Sequence, residues 1–169
     1  FTLTPRARHP DDMGTSNRLA QLPGRNFLEL LEVDRPDGLT RHDFAATPPR
    51  FSFGDQNRLR LQRGEGASLL VLQSRDAAAD LADWQARGLV TYAPYEFQRQ
   101  ARQPDGSEVT VSFSLAFAGA PEIPAIGFFV CHNRYPELFW KPDYQRHANG
   151  AQKITAIYFA AEEPAAAGE

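Results

Sequence analysis

The sequence contains a single cysteine, Cys131, so it cannot form an intrachain disulfide, and nothing in it favours an oxidising compartment. Its longest apolar runs, such as 69–72 and 126–131, are far shorter than the ~20 residues that span a bilayer. It also lacks the charged and apolar regions of a signal peptide. We therefore expect a cytoplasmic protein with no membrane partner.

Neither sign of charge is in large excess. The chain has 18 Lys and Arg against 21 Asp and Glu, giving a net charge of -3. Two small groups of arginines occur, but acidic residues are interspersed with them, which is typical of a solvated surface; the alternative is a phosphate-binding stripe. These arginines are Arg58, Arg60 and Arg63, followed later by Arg99 and Arg102. The charge pattern thus predicts no nucleic-acid partner, while 42% hydrophobic and 23% charged residues indicate a globular protein.

Several short catalytic motifs are also missing. The sequence has no glycine-rich phosphate loop, no HExxH helix, no GxSxG elbow and no paired CxxC. Enzyme classes that are recognised by those motifs are therefore not indicated, and the organisation of the chain has to guide the assignment.

The middle of the chain predicts a strand, a helix and three further strands. A short apolar run begins it, Asp76 can cap a helix and Gly88 can end that helix. Apolar and polar residues then alternate on both sides of the Pro-Asp-Gly-Ser turn at 104–107, as in a β-hairpin. The predicted elements are a strand over 69–73, a helix over 77–88, and strands over 95–103, 109–117 and 127–132.

The first third of the chain predicts three strands, over 1–8, 15–22 and 26–33, which look like the same unit without its opening strand and helix. Residues 34–53 form the connection, a short helix is predicted over 55–63, and 154–160 has strand character before a possible helix at 162–164. The predicted division is a partial first module with its linker at 1–66, a second module at 67–152, and the start of a possible further repeat at 153–169.

Five short segments, in this order and spacing, carry a resemblance to a known family. They are His9-Pro10, Gly14-Thr15-Ser16-Asn17-Arg18-Leu19, Asn26-Phe27-Leu28-Glu29-Leu30-Leu31, Gly64-Glu65-Gly66 and His147-Ala148-Asn149-Gly150-Ala151. The chain resembles the glyoxalase-like branch of the vicinal oxygen chelate superfamily. The resemblance implies an α+β fold of paired βαβββ modules, whose two curved sheets enclose a cavity.

The resemblance also implies a class of activity. It suggests an enzyme that acts on a small molecule with adjacent oxygens, with lyase, isomerase or dioxygenase chemistry assisted by zinc, nickel, manganese or iron. The alternative is a metal-free module of the same fold that binds or sequesters a small molecule. A homodimer is expected in either case, because open strand edges and a partial first module would leave apolar surface exposed.

Glu29 matches the glutamate that binds the metal in metal-dependent relatives, and it is the candidate catalytic and metal-binding residue. The alternative for Glu29 is an edge carboxylate that pairs with an arginine. The second module departs from the metal-binding pattern, because Ala67 and Ser68 stand where a histidine would be expected, and Phe129 or Cys131 stands in place of the second glutamate.

His147 is the second candidate catalytic residue, as a pocket donor or general base, with a loop-stabilising hydrogen bond as the alternative. His132 would point away from Cys131 on a regular strand, unless a bulge at the strand end redirects it. The predicted pocket residues are Phe27, Phe113, Phe129, Cys131, His132, Glu137 and Trp140.

Overall fold

The computed structural model describes residues 1–120 and 123–160. Its elements, in chain order, are β1 (Ala7–Arg8), β2 (Thr15–Leu22), β3 (Asn26–Val33), α1 (Phe53–Leu61), β4 (Leu69–Gln73), α2 (Ala77–Ala86), β5 (Tyr95–Arg102), β6 (Glu108–Ala118), β7 (Gly127–Asn133), α3 (Pro136–Phe139) and a 3-10 turn, Pro142–Tyr144.

The strands form two separate sheets. Strands β1, β2 and β3 pair antiparallel in that order. The second sheet has the order β4-β7-β6-β5, with β4 parallel to β7 and the other pairs antiparallel. Within the described residues, no backbone hydrogen bond joins a strand of one sheet to a strand of the other. The mixed α+β architecture with two sheets confirms the predicted fold class.

Local sequence explains where the helix and the hairpin of the second sheet form. The side chain of Asp76 accepts hydrogen bonds from the backbone N–H groups of Ala78 and Ala79 and so caps α2. The turn between β5 and β6 requires a positive φ of 86° at Gly106, which glycine adopts without a steric penalty. The helix and the hairpin thus occur where the sequence predicted them.

Helix α1 begins at Phe53, two residues before its predicted start. The Ser52 hydroxyl caps the helix by accepting from the N–H of Asp55. The start of α1 lies directly on the loop before β2, and a Cβ at Gly54 would be 2.0 Å from the Met13 carbonyl oxygen. Only glycine permits this approach.

Alternating side chains give the second sheet two apolar faces. Its outer face carries Ala116 and Val130, which pack against α2 through Ala77. Its inner face carries the main core cluster, which also receives side chains from α1 and the loop before β2. The buried members of this cluster are Met13, Phe53, Val111, Phe113, Leu115, Phe117 and Phe129.

Two predicted strands differ from the structure. The strand predicted over 1–8 is confined to Ala7–Arg8, because Thr4 accepts from the Leu19 N–H with its hydroxyl and Pro5 has no N–H to donate. No strand forms over 154–160, where the backbone of Ile154 instead bonds the side-chain amide of Asn26. The helix predicted at 162–164 lies outside the described residues, and the division at 66 and 152 stays a prediction.

Within the described part of the chain, no helix is long and apolar enough to cross a membrane.

Candidate functional site

Three polar side chains meet on the inner face of the first sheet. Asn17 donates its side-chain amide to Glu29 Oε1 over 2.7 Å, and the same nitrogen lies 3.2 Å from His9 Nε2. His9 Nδ1 lies 2.8 Å from the Thr15 hydroxyl. Because Nε2 has to accept from the amide, these contacts assign a neutral His9 with its proton on Nδ1.

Strand register brings these groups together. Asn17 and Glu29 lie on adjacent antiparallel strands, where Asn17 pairs with Leu31 and Glu29 pairs with Leu19. The two polar residues are therefore diagonal neighbours on one face, within reach of each other's side chains. The outward residues of β3 are exposed, as Leu28 and Leu30 show, whereas Glu29 is only 23% exposed.

Burial controls the charge states of this cluster. It lowers the pKa of His9 to about 3, with further lowering from the positive charges of Arg99 and Arg35. The 3.8 Å contact between His9 Nε2 and Glu29 Oε1 is therefore not an ion pair at neutral pH. Burial raises the pKa of Glu29, and the Asn17 hydrogen bond and Arg99 partly oppose that rise.

Arg99 and Cys131 face the cluster from the second sheet. Arg99 lies on the inward side of β5, with its guanidinium carbon 5.7 Å from the centre of the Phe113 ring. Burial and the nearby Glu29 charge raise the pKa of Cys131 to about 12, so its thiol is protonated at neutral pH. Glu29 in turn opposes the lowering of the Arg99 pKa that burial causes.

A gap remains between the charged groups of the two sheets. No ion pair within 4.0 Å joins Arg99 to Glu29 in the described part of the chain. Two buried polar atoms nearby, Arg99 Nε and Asn17 Oδ1, have no hydrogen-bond partner among the described residues. Such atoms are costly to leave unpaired, so they indicate a place where a polar ligand atom can bind.

Aromatic rings surround this gap. Phe97 stacks on Phe113 at 5.0 Å between ring centres, and Phe53 lies 5.5 Å from His9. Phe139 contacts Phe27 at 5.7 Å, which extends the aromatic wall toward the end of the sheets. The site therefore combines an apolar lining with a few convergent polar groups, as small-molecule sites do.

The structure brings together most of the residues that the sequence singled out. Glu29 lies at the centre of the polar cluster, and Trp140 contacts Phe27 with their ring centres 5.9 Å apart. The other predicted residues that lie on the inner faces are Phe27, Phe113, Phe129 and Cys131.

Three predicted residues lie elsewhere. His132 pairs with Ser114 on the face of the second sheet opposite to Cys131, as regular alternation requires. Glu137 is exposed on α3. His147 lies between chain segments, where its Nε2 bonds the Gln21 carbonyl oxygen at 2.6 Å and its Nδ1 accepts from the Thr2 N–H at 3.1 Å. Both of its ring nitrogens are occupied, which favours the structural alternative.

The sequence did not assign functions to His9, Asn17 and Arg99. His9 and Asn17 were named only within segments that carry the family resemblance, and Arg99 was interpreted as part of a solvated surface. A signal for Arg99 does exist, because it shares the inward side of β5 with Tyr95 and Phe97, and an arginine among apolar inward residues is unusual.

The donor set of the site is limited for a metal. Within residues 1–120 and 123–160, no three His, Cys, Asp or Glu side chains are grouped so that they could hold an ion. His9 Nε2 and Glu29 Oε1 lie 3.8 Å apart, and the Asn17 amide bonds to both residues.

The fold and the site define a two-sheet α+β protein with a polar, aromatic-lined space between its sheets. A family model described as a glyoxalase-like domain matches residues 1–169. The chain therefore belongs to the glyoxalase-like domain family, within the vicinal oxygen chelate superfamily. No curated protein and no solved structure matches it.

Proposed function

We propose that this protein is a glyoxalase-like enzyme that transfers a proton on a small molecule with adjacent oxygens, in an isomerase or lyase type of reaction. Glu29 is the general base, and Arg99 stabilises the negative charge that develops on the substrate oxygen. The observation that carries the proposal is the placement of Glu29 opposite Arg99 without an ion pair between them.

The state of Glu29 supports its role as a base. Burial raises its pKa, and a carboxylate whose pKa lies closer to neutrality is a stronger base than an exposed one. Asn17 holds one of its oxygens, so the other is available to take a proton from a carbon beside a carbonyl group.

The electron pair of the broken C–H bond then moves to the carbonyl oxygen and forms an enolate. The Arg99 guanidinium, which has an unpaired Nε, is the group that can donate to this oxygen. When the carbon that lost its proton carries a hydroxyl group, the proton of that hydroxyl passes to the former carbonyl oxygen. The carboxyl of Glu29 then returns its proton to the former carbonyl carbon, which completes an isomerisation with no other reactant.

A divalent metal, which the family implies, does not fit the described donors. Among the described residues no third ligand joins His9 and Glu29, the Asn17 amide lies between their ligand atoms, and the positive charge of Arg99 faces them. A hard cation prefers several anionic or neutral oxygens without a neighbouring cation. We therefore assign no step to a metal.

Glu29→Gln tests the proposal, because the amide has the same size but cannot accept the proton. In deuterated water, the wild type should exchange the protons next to the carbonyl in a panel of small 2-oxo and 2-hydroxycarbonyl compounds, as followed by NMR. The variant should lose this exchange by a factor of about 100 or more. Glu32→Gln is the matched control, because Glu32 is exposed on the outer side of the same strand.

A second candidate is a metal-free module that binds or sequesters a small molecule, and the aromatic lining supports it. It would be preferred if the wild type bound compounds of the panel without exchanging their protons. In either case we propose a small-molecule partner and a homodimer. The exposed Leu28 and Leu30 on the outer face of β3 support the dimer.

A further inference from the structure

We propose that the groove between β1 and β5, the outer strands of the two sheets, binds the anionic group of a phosphorylated or carboxylated small molecule. The groove has a volume of about 680 Å³ and includes His9 and Arg99 in its lining. It is therefore continuous with the space between the sheets. The inference deepens the proposed function by naming the class of its substrate.

The lining of the groove is strongly basic although the chain has a net charge of -3. Glu108 is the acidic residue in the lining. The basic residues are Arg6, Arg8, Arg18, Arg99, Arg102 and Lys141. Such an excess of one sign attracts ligands of the opposite charge.

Most of these cations are available for a ligand. Arg6 pairs with Glu32 and Asp34, and Arg8 pairs with Asp11. The other four basic residues form no ion pair within the part of the chain that the structure describes. Asp105 acts on Lys141 and Glu29 acts on Arg99 from outside the lining, and the lining itself has an excess of positive charge.

The loop that carries Lys141 is fixed in place. The side chain of Gln21 is almost fully buried, donates to the Phe139 carbonyl oxygen over 2.7 Å and accepts from the Lys141 N–H over 3.2 Å. Gln103 also donates to the Leu138 carbonyl oxygen. These contacts hold the backbone at Lys141 beside the groove in the absence of a ligand, which reduces the entropic cost of binding.

The apolar residues of the groove define the rest of the ligand. Leu138, Phe139 and Val111 line its inner part, while Arg102 lies toward the hairpin turn near Gly106. A molecule with an anionic group at one end and an oxygenated carbon chain at the other could reach from Arg102 and Lys141 to the space near Arg99. Guanidinium and ammonium groups bind both phosphate and carboxylate.

Isothermal titration calorimetry of the full chain at constant ionic strength tests this site. Inorganic pyrophosphate and citrate serve as the phosphate and carboxylate probes, and the stronger binder identifies the preferred anion. The double variant Arg102→Gln/Lys141→Gln should raise the Kd of that probe by about tenfold, the combined effect of two partly exposed charge contacts. Arg75→Gln, which removes an exposed charge outside the groove, should leave the Kd unchanged.

The two proposals can fail separately. Glu29→Gln should not weaken the binding of the anion, even if it abolishes proton exchange, because Glu29 lies outside the groove lining and the substitution removes a negative charge near Arg99. The anion site would be overturned if the wild type bound neither probe saturably, or if Arg75→Gln weakened binding as much as the double variant. Proton exchange that is absent from the wild type, or that survives in Glu29→Gln, would overturn only the proposed role of Glu29.

Discussion

Asn17 donates its side-chain amide to Glu29 Oε1 over 2.7 Å while its nitrogen also lies 3.2 Å from His9 Nε2. One amide group thus fixes the orientation of the carboxyl and the tautomer of the imidazole. Its own oxygen, Asn17 Oδ1, is buried without a partner among the described residues. The polar cluster is therefore ordered before a ligand binds, and Asn17 Oδ1 can still accept a hydrogen bond from that ligand.

Protonation of His9 should make the protein unstable in acid. The unfolded histidine binds a proton near pH 6.5, whereas the folded one does so only near pH 3. The stabilisation from the neutral folded form is complete above pH 6.5 and is lost as the pH falls toward 3. Its full size is up to about 5 kcal/mol, since each unit of pKa corresponds to about 1.4 kcal/mol.

Urea denaturation of the wild type and His9→Gln checks this expectation. The difference in unfolding free energy between the two proteins should shrink by about 2 kcal/mol from neutral pH to a pH midway between 6.5 and 3. The comparison cancels the contribution of the other titrating groups. A difference that does not change with pH would contradict the assignment of a buried neutral His9.

Removal of Arg99 should raise the pKa of Glu29 further. The guanidinium charge opposes the effect of burial on this carboxyl, so Arg99→Gln leaves burial with less opposition. NMR titration of carboxyl-labelled glutamate would detect the upward shift without a substrate. Arg102→Gln is the control, and an equal shift in that variant would mean that overall charge, and not the facing position, is responsible.

His147→Ala should lower stability and leave the site intact. The substitution removes the hydrogen bonds from Thr2 and to the Gln21 carbonyl oxygen, so we expect a loss of about 2 kcal/mol in the free energy of unfolding. The NMR titration of Glu29 should be unchanged. If proton exchange were abolished at unchanged stability, the catalytic interpretation of His147 would be correct.

Asn17→Asp should create a metal site, and we expect the wild type to bind no metal. Zinc, nickel, manganese and iron(II) should leave the Tm of the wild type unchanged, because its two candidate ligands are bridged by an amide. The new carboxylate would complete a group with His9 and Glu29, and zinc should then raise the Tm. A rise in the Tm of the wild type that Glu29→Gln abolishes would instead restore the metal-dependent hypothesis.

Much of the fold could be predicted because its signals are local. The bounds of β2 and β3, Thr15–Leu22 and Asn26–Val33, agree with the structure, since alternation and the turn at Pro23 and Gly24 define them. Residues 154–160 also have strand character but form no strand. Strand formation requires a partner, and here the side chain of Asn26 takes the hydrogen bonds of Ile154.

The site was harder to predict because its residues come from two sheets. Glu29 was found from a sequence segment that resembles a family motif, but alternation alone left open whether its side chain points into the pocket or toward solvent. In the sequence, Arg99 cannot be distinguished from a surface arginine, because its burial depends on the first sheet, which lies opposite β5. His9 lies in a His-Pro-Asp-Asp segment that is typical of a turn, and only burial against Phe53 and Phe97 reveals its neutral state.

Within residues 1–120 and 123–160, no backbone hydrogen bond joins the two sheets, and this affects how amide exchange should be interpreted. Each ladder can protect its own N–H groups while the sheets separate slightly, because that motion breaks only side-chain contacts. Slow deuterium uptake in β2 or β6 would therefore say little about access to Glu29. A small molecule could enter while the sheets are slightly separated. Its binding should change the environment of the aromatic side chains without changing the exchange rates of the strand amides.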